Sequence, residues 1–309
     1  MSIHMAVRQK QVLMEGHFDA KILAVAAAIL ALGTVAFFGL LRTPETARIS
    51  GISHIHGIAV DRRDPSRLYL ATHDAVYLTS RDGTAEQVSA ERNDYVGFTA
   101  HPTEAAVFYA SGHPPSGGNT GVIVSLNGAR TWIKTADGAN GRVDFHAISV
   151  SPVDPNVIYG LYRDIQVSRD GGKTWEVTGS APPGTVDIAA SAVDAHTLYA
   201  ATRNGLMVSR SGGRGWNSAG PTGQPVTLVE IAPDGSIYTF VVRRGLLKGS
   251  PGAFVWEPIM QEFGNHVFLH LSIDPRAPNR MFAVTRQSKL LASTDGGKSW
   301  SDLKVVRGR

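Results

Sequence analysis

The feature that most constrains this chain is a box, Ser-x-x-Gly-x-x-x-Trp, that returns along it. It reads Ser125 to Trp132, Ser168 to Trp175, Ser209 to Trp216 and Ser293 to Trp300, with degenerate copies at Ser80 to Gly83 and Gly249 to Trp256. All five tryptophans stand seven residues after a box opens. A second marker, an apolar–aromatic pair, precedes each box: Leu68-Tyr69, Phe108-Tyr109, Ile158-Tyr159, Leu198-Tyr199, Ile237-Tyr238 and Met281-Phe282. The aromatic members are 40, 50, 40, 39 and 44 residues apart. Each interval holds four short β-type runs punctuated by Gly, Asp, Asn and Pro, and four strands in roughly 40–45 residues is the period of a propeller blade. Six markers predict an all-β, six-bladed propeller with four-stranded blades over residues 51–309, closed on itself so that no long sheet edge is exposed.

The boxes resemble the Asp-box (BNR) repeat of sialidases, sortilin-type receptors and photosystem II assembly propellers. Ser168–Trp175 and Ser293–Trp300 match best; the other copies lose the Asp or a Gly. The resemblance implies that each box folds the turn between the third and fourth strands of its blade, with the Trp packed between blades. It specifies architecture and hardly any function. The opening His54-Ile-His56-Gly, with Asp64-Pro65, is also similar to bacterial membrane-anchored BNR proteins labelled glycosylhydrolase-like.

Ahead of the repeats, Ile22 to Leu41 is twenty residues without a charge, bracketed by Lys21 and Arg42. That length matches a bilayer's hydrocarbon core. It exceeds the apolar run of a cleaved signal peptide and follows a 21-residue polar leader, although Thr34-Val35-Ala36 is a weak cleavage signal. The expected order is a cytoplasmic leader (1–21), a single-pass anchor in the inner membrane (22–41), a linker (42–50) and a propeller outside, periplasmic or extracellular (51–309). Only a slight excess of Lys and Arg before the span supports that orientation. The chain has no Cys, which removes disulfides, thiolate metal sites and Cys nucleophiles. Residues 1–42 carry four basic and two acidic residues, leaving 26 basic against 24 acidic for the rest. That balance argues against nucleic acid as a partner.

Aligning the blades on the aromatic marker turns sequence columns into rings around one rim. Four residues after the marker stand His73, His113, Arg163, Arg203, Val242 and Arg286, with Arg243 one place on in blade five. Thirteen before it lie His56, Val96, His146, Val186, Pro225 and Leu269; fifteen before it lie His54, Asp94, Asp144, Gly184, Gly223 and Val267. Blades one to three thus gather His54, His56, His73, Asp94, His113, Asp144 and His146 in one sector, to which blade six adds His266 and His270. Residues two apart on a strand share a face, so His54 with His56, and Asp144 with His146, are expected to converge. Neutral imidazoles with carboxylates suit Zn or Cu(II); the bland alternative is that they hydrogen-bond loop backbone and close the channel mouth. Arg163, Arg203, Arg243 and Arg286 form an opposite sector that suits a small anion or an acidic partner loop, or else inter-blade ion pairs with neighbours such as Asp164.

Three functions fit. The first is a membrane-tethered binding or assembly module that presents this rim to a metal ion, a small anionic ligand or a membrane-protein partner. The second is a sialidase-like glycoside hydrolase, which would need a tyrosine activated by a glutamate; Glu230, Glu257 and Glu262 have no evident tyrosine mate, although Asp94 and Asp144 could serve another hydrolase. The third is a metal-assisted hydrolase. No complete catalytic set is visible, so the binding module is the expectation.

Overall fold

A computed structural model describes residues 46–47, 54–81 and 83–307. The expected leader and anchor lie outside the described residues. Thr46–Ala47, within the stretch read as linker, forms a short strand antiparallel to Thr84–Gln87.

The described chain is an all-β, six-bladed propeller. Blade one runs Ile55–Val60, Leu68–Thr72, Val76–Thr79 and Thr84–Gln87. The other blades repeat the antiparallel meander, starting from Asp94–Ala100, Ala147–Val150, Thr185–Ala190, Val226–Ile231 and Phe268–Ile273. These first strands touch one another in sequence, and the sixth touches the first, so they ring a central channel. Val306–Arg307 returns to pair in parallel with the outer strand of blade one.

Six buried clusters fill the six gaps between neighbouring blades. The marker aromatics supply their bulk: Tyr69 packs on Phe108 at 4.6 Å between ring centres, and Phe108 stacks on Phe98 at 5.1 Å. Each box lies in the turn from the third to the fourth strand, and its Trp packs against the preceding blade. Trp216, for instance, donates its indole N–H to Ser180 O of the blade before it at 3.2 Å.

Ser168–Trp175 shows why the box needs its residues. Asp170 accepts hydrogen bonds from the backbone N–H of Lys173 (3.0 Å) and Thr174 (2.9 Å), and from the Thr174 and Ser168 hydroxyls (2.7 and 2.8 Å). These bonds, the Thr174 hydroxyl foremost, hold its carboxyl at about 2. Asp170→Ala is expected to destabilise the fold by about 1–3 kcal/mol, read as a lower urea midpoint, because several donors lose their acceptor. A change below the error of the midpoint would refute this role.

The inner strands of five blades share one irregularity at the rim, and it sets the site. In blade one the pairing slips between Ile55 and Gly57, leaving His56 as the extra residue. In blade three the N–H of His146 bonds Leu161 O while Ala147 is also opposite Leu161. Val186, Thr227 and Leu269 are the extra residues of blades four, five and six. A bulge re-aims its side chain, so five of the six ring positions are bulges, while in blade two Val96 stays paired with Ser111 and the slip falls between Val96 and Thr99.

Blade five departs from the sequence column. Its turn between first and second strands spans 232–236, against seven residues in the other blades. The ring residue there is Thr227, and Pro225 lies two positions short of the ring.

Candidate metal-binding sector at the channel mouth

His56 enters the sector from its bulge. His73 lies in the turn after Leu68–Thr72, which the Thr72 hydroxyl pins by donating to Ala75 O at 2.8 Å. Asp94 opens the inner strand of blade two and is the register partner of His113 at the end of the next strand. Asp144 and His146 lead into the inner strand of blade three.

The sequence-derived residues fall into two adjoining triads. In the first, His56 Nε2 lies 3.1 Å from His73 Nδ1 and 3.4 Å from Asp94, and His73 Nδ1 lies 3.1 Å from Asp94 Oδ2. One donor atom from each residue fits within a 4.8 Å span. In the second, His113 Nε2 lies 3.0 Å and His146 Nε2 3.4 Å from Asp144 Oδ2. Asp94 Oδ1 and Asp144 Oδ1 are both buried and receive no hydrogen bond.

His54 does not join a donor triangle. Its backbone adopts φ 63°, outside the strand, so its side chain does not follow the expected alternation with His56. Its ring instead stands 4.9 Å from that of His73.

Burial pushes the His56 imidazole below its ordinary pKa against the pull of Asp94, and the neighbouring His73 and His54 rings push the same way. His56 is accordingly neutral at pH 7, the form that can ligate a metal. His113 is raised, first by its bond to the Gly118 carbonyl and then by Asp144 and Asp94. His270 lies on the inner strand of blade six, lines the channel and is pushed down to about 4 by burial, with a further push from His56.

The arginines are not drawn together. Arg163, Arg203, Arg243 and Arg286 occupy the turns after the second strand of blades three to six, all exposed. Among the described residues none pairs with an acidic side chain, Asp164 included. Arg163 lies over the Tyr162 ring at 5.5 Å.

Sequence reasoning passed over one group. Asp187 and Glu230, on the inner strands of blades four and five, face a channel cavity of about 220 Å³. Asp187 accepts the N–H of Ile188 and of Val229, both at 2.9 Å, and so ties two blades together. Burial lifts Asp187 to about 7, and burial plus Asp187 lifts Glu230 to about 8. The signal was an acidic residue at an inward position of a strand, which the marker columns did not sample.

No family profile and no curated relative matches the chain. Solved structures do. A GH74 enzyme from Niastella koreensis aligns with TM-score 0.60 at 17% identity, and a GH74 xyloglucanase from Xanthomonas campestris with 0.58 at 20%; each alignment covers 84% of this chain. The chain spans about half, 46%, of those two proteins. YCF48 bound to a D1 peptide aligns with TM-score 0.51 at 17% identity, covering 82% of each chain. At such identities the likeness carries the propeller fold and nothing finer.

Proposed function

We propose that this chain is a noncatalytic binding or assembly propeller, held at the outer side of a membrane by residues 22–41, whose channel mouth carries a divalent transition-metal ion. His56, His73 and Asp94 are its protein ligands. The observation that carries the reading is how closely their donor atoms approach one another. With zinc–ligand bonds of about 2.0–2.1 Å, two ligands of a tetrahedral ion stand about 3.3 Å apart. His73 Nδ1 stands 3.1 Å from both His56 Nε2 and Asp94 Oδ2, His56 Nε2 stands 3.4 Å from the other oxygen, Asp94 Oδ1, and one donor atom from each residue fits within 4.8 Å. Three protein ligands leave a position open for water or for a ligand from a partner. Zn and Cu(II) both accept this donor set. Exposed Arg163, Arg203, Arg243 and Arg286 are the part of the rim that would meet an anionic ligand or an acidic partner loop.

The hydrolase alternatives fare less well on the same geometry. Asp94 and Asp144 each have two imidazoles against them, contacts that a sugar substrate would have to displace to reach either carboxylate.

Calorimetric titration of the full-length protein with Zn(II) and Cu(II) tests the reading. The double substitution His56→Ala, His73→Ala is expected to weaken binding at this site at least about 100-fold, since loss of even an outer-shell partner costs 10–100-fold. A folded double variant that binds as many ions as wild type, with unchanged affinity, rejects the site.

A further inference from the structure

The second triad contains a contact that a neutral imidazole and an ionised carboxylate do not explain. His113 Nδ1 lies 3.0 Å from the carbonyl oxygen of Gly118. A carbonyl only accepts, so Nδ1 carries the hydrogen, and a neutral ring then presents a bare lone pair at Nε2. That lone pair faces Asp144 Oδ2 at 3.0 Å. Lone pair against carboxylate at this distance is repulsive unless a positive centre stands between them.

Asp144 also lacks ordinary compensation. Its side chain is 8% exposed, and among the described residues no backbone N–H, Lys or Arg is bonded to it. Its partners are His113 and, at 3.4 Å, His146, while Oδ1 is buried with no hydrogen bond at all. A buried carboxylate in that state is costly, and a cation offsets the cost.

We propose that His113, Asp144 and His146 form a second transition-metal site, so that the sector holds two ions on neighbouring blades. His113 Nε2 and Asp144 are its fixed ligands. His146, whose side chain is 67% exposed, has room to turn its ring onto the ion, and water completes the shell. The tautomer of His113, set by Gly118, is the one that a metal ligand bonded through Nε2 requires. The two sites share a wall, because Asp94 of the first is the register partner of His113 of the second. This deepens the single-ion reading above but rests on different residues. A second proton on His113 would relieve the same contact, and metal counting separates the two.

The test is the number of zinc ions retained by full-length protein after gel filtration at pH 7.5, measured by elemental analysis and native mass spectrometry. Wild type is expected to hold two, and His56→Ala, His73→Ala to hold one. His113→Ala, His146→Ala is also expected to hold one, as is the near-isosteric Asp144→Asn, which guards against a folding defect. One ion in wild type, lost in the His56/His73 variant and kept in the other two, overturns the second site while the first stands. One ion lost only on changing His113, His146 or Asp144 supports the second site and removes the first. No ion in any form overturns both.

Discussion

Glu230→Gln is expected to raise the stability of the folded protein at pH 9 by on the order of a few kcal/mol, and to change it much less at pH 5. Glu230 sits in the channel beside Asp187 with its carboxyl lifted to about 8, while unfolded glutamate titrates near 4.3. Below about pH 4 both states hold the proton and nothing is lost. Between about 4 and 8 only the folded state holds it, so stability falls as pH rises, and above 8 the loss is complete. Asp187, lifted to about 7, adds the same slope over a slightly narrower window. A glutamine keeps the shape and removes the titration. Urea unfolding of both proteins from pH 5 to 9 reads the difference; parallel pH profiles would show that the acid pair is not strained by burial.

Gly112→Ala is expected to be the more damaging of two neighbouring glycine substitutions, costing more than about 2 kcal/mol and weakening metal binding together with stability. Gly112 has φ +125°, and a Cβ there would fall 2.0 Å from the Asp94 carbonyl oxygen and 3.2 Å from the Val96 nitrogen. The strand cannot give way without parting Asp94 from His113. Gly117, in the loop after that strand, has φ +81° but nothing within 4 Å of its Cβ position, so Gly117→Ala carries only the left-handed penalty of about 1–2 kcal/mol. Chemical denaturation of the two variants side by side measures the contrast, and equal losses would contradict it.

The propeller was legible because its signals are local and repeated six times. Marker pairs begin the second strands and boxes end the third, as at Ile158 and Ser168. The rim was legible where every connection has the same length, which is why counting back from Tyr69 and Tyr159 reaches His56 and His146. It failed at Pro225 because one shortened turn moves the whole strand by two places. What periodicity could not supply was backbone conformation. The bulges that aim His56 and His146, and the left-handed turn at His54, follow from pairing between strands and leave no mark in the alternation. The channel acids escaped for a related reason: Asp187 and Glu230 matter through burial and mutual repulsion, which appear only once blades four and five are side by side.

X-ray absorption at the zinc edge on the metal-loaded full-length protein tests the central claim most directly. The account predicts a four-coordinate shell of nitrogen and oxygen at about 2.0–2.1 Å with the outer-shell scattering of imidazole rings, and loss of that imidazole signal from the first site in His56→Ala, His73→Ala. A shell of oxygen alone, or a zinc count and spectrum that are both unchanged by those substitutions, would contradict it.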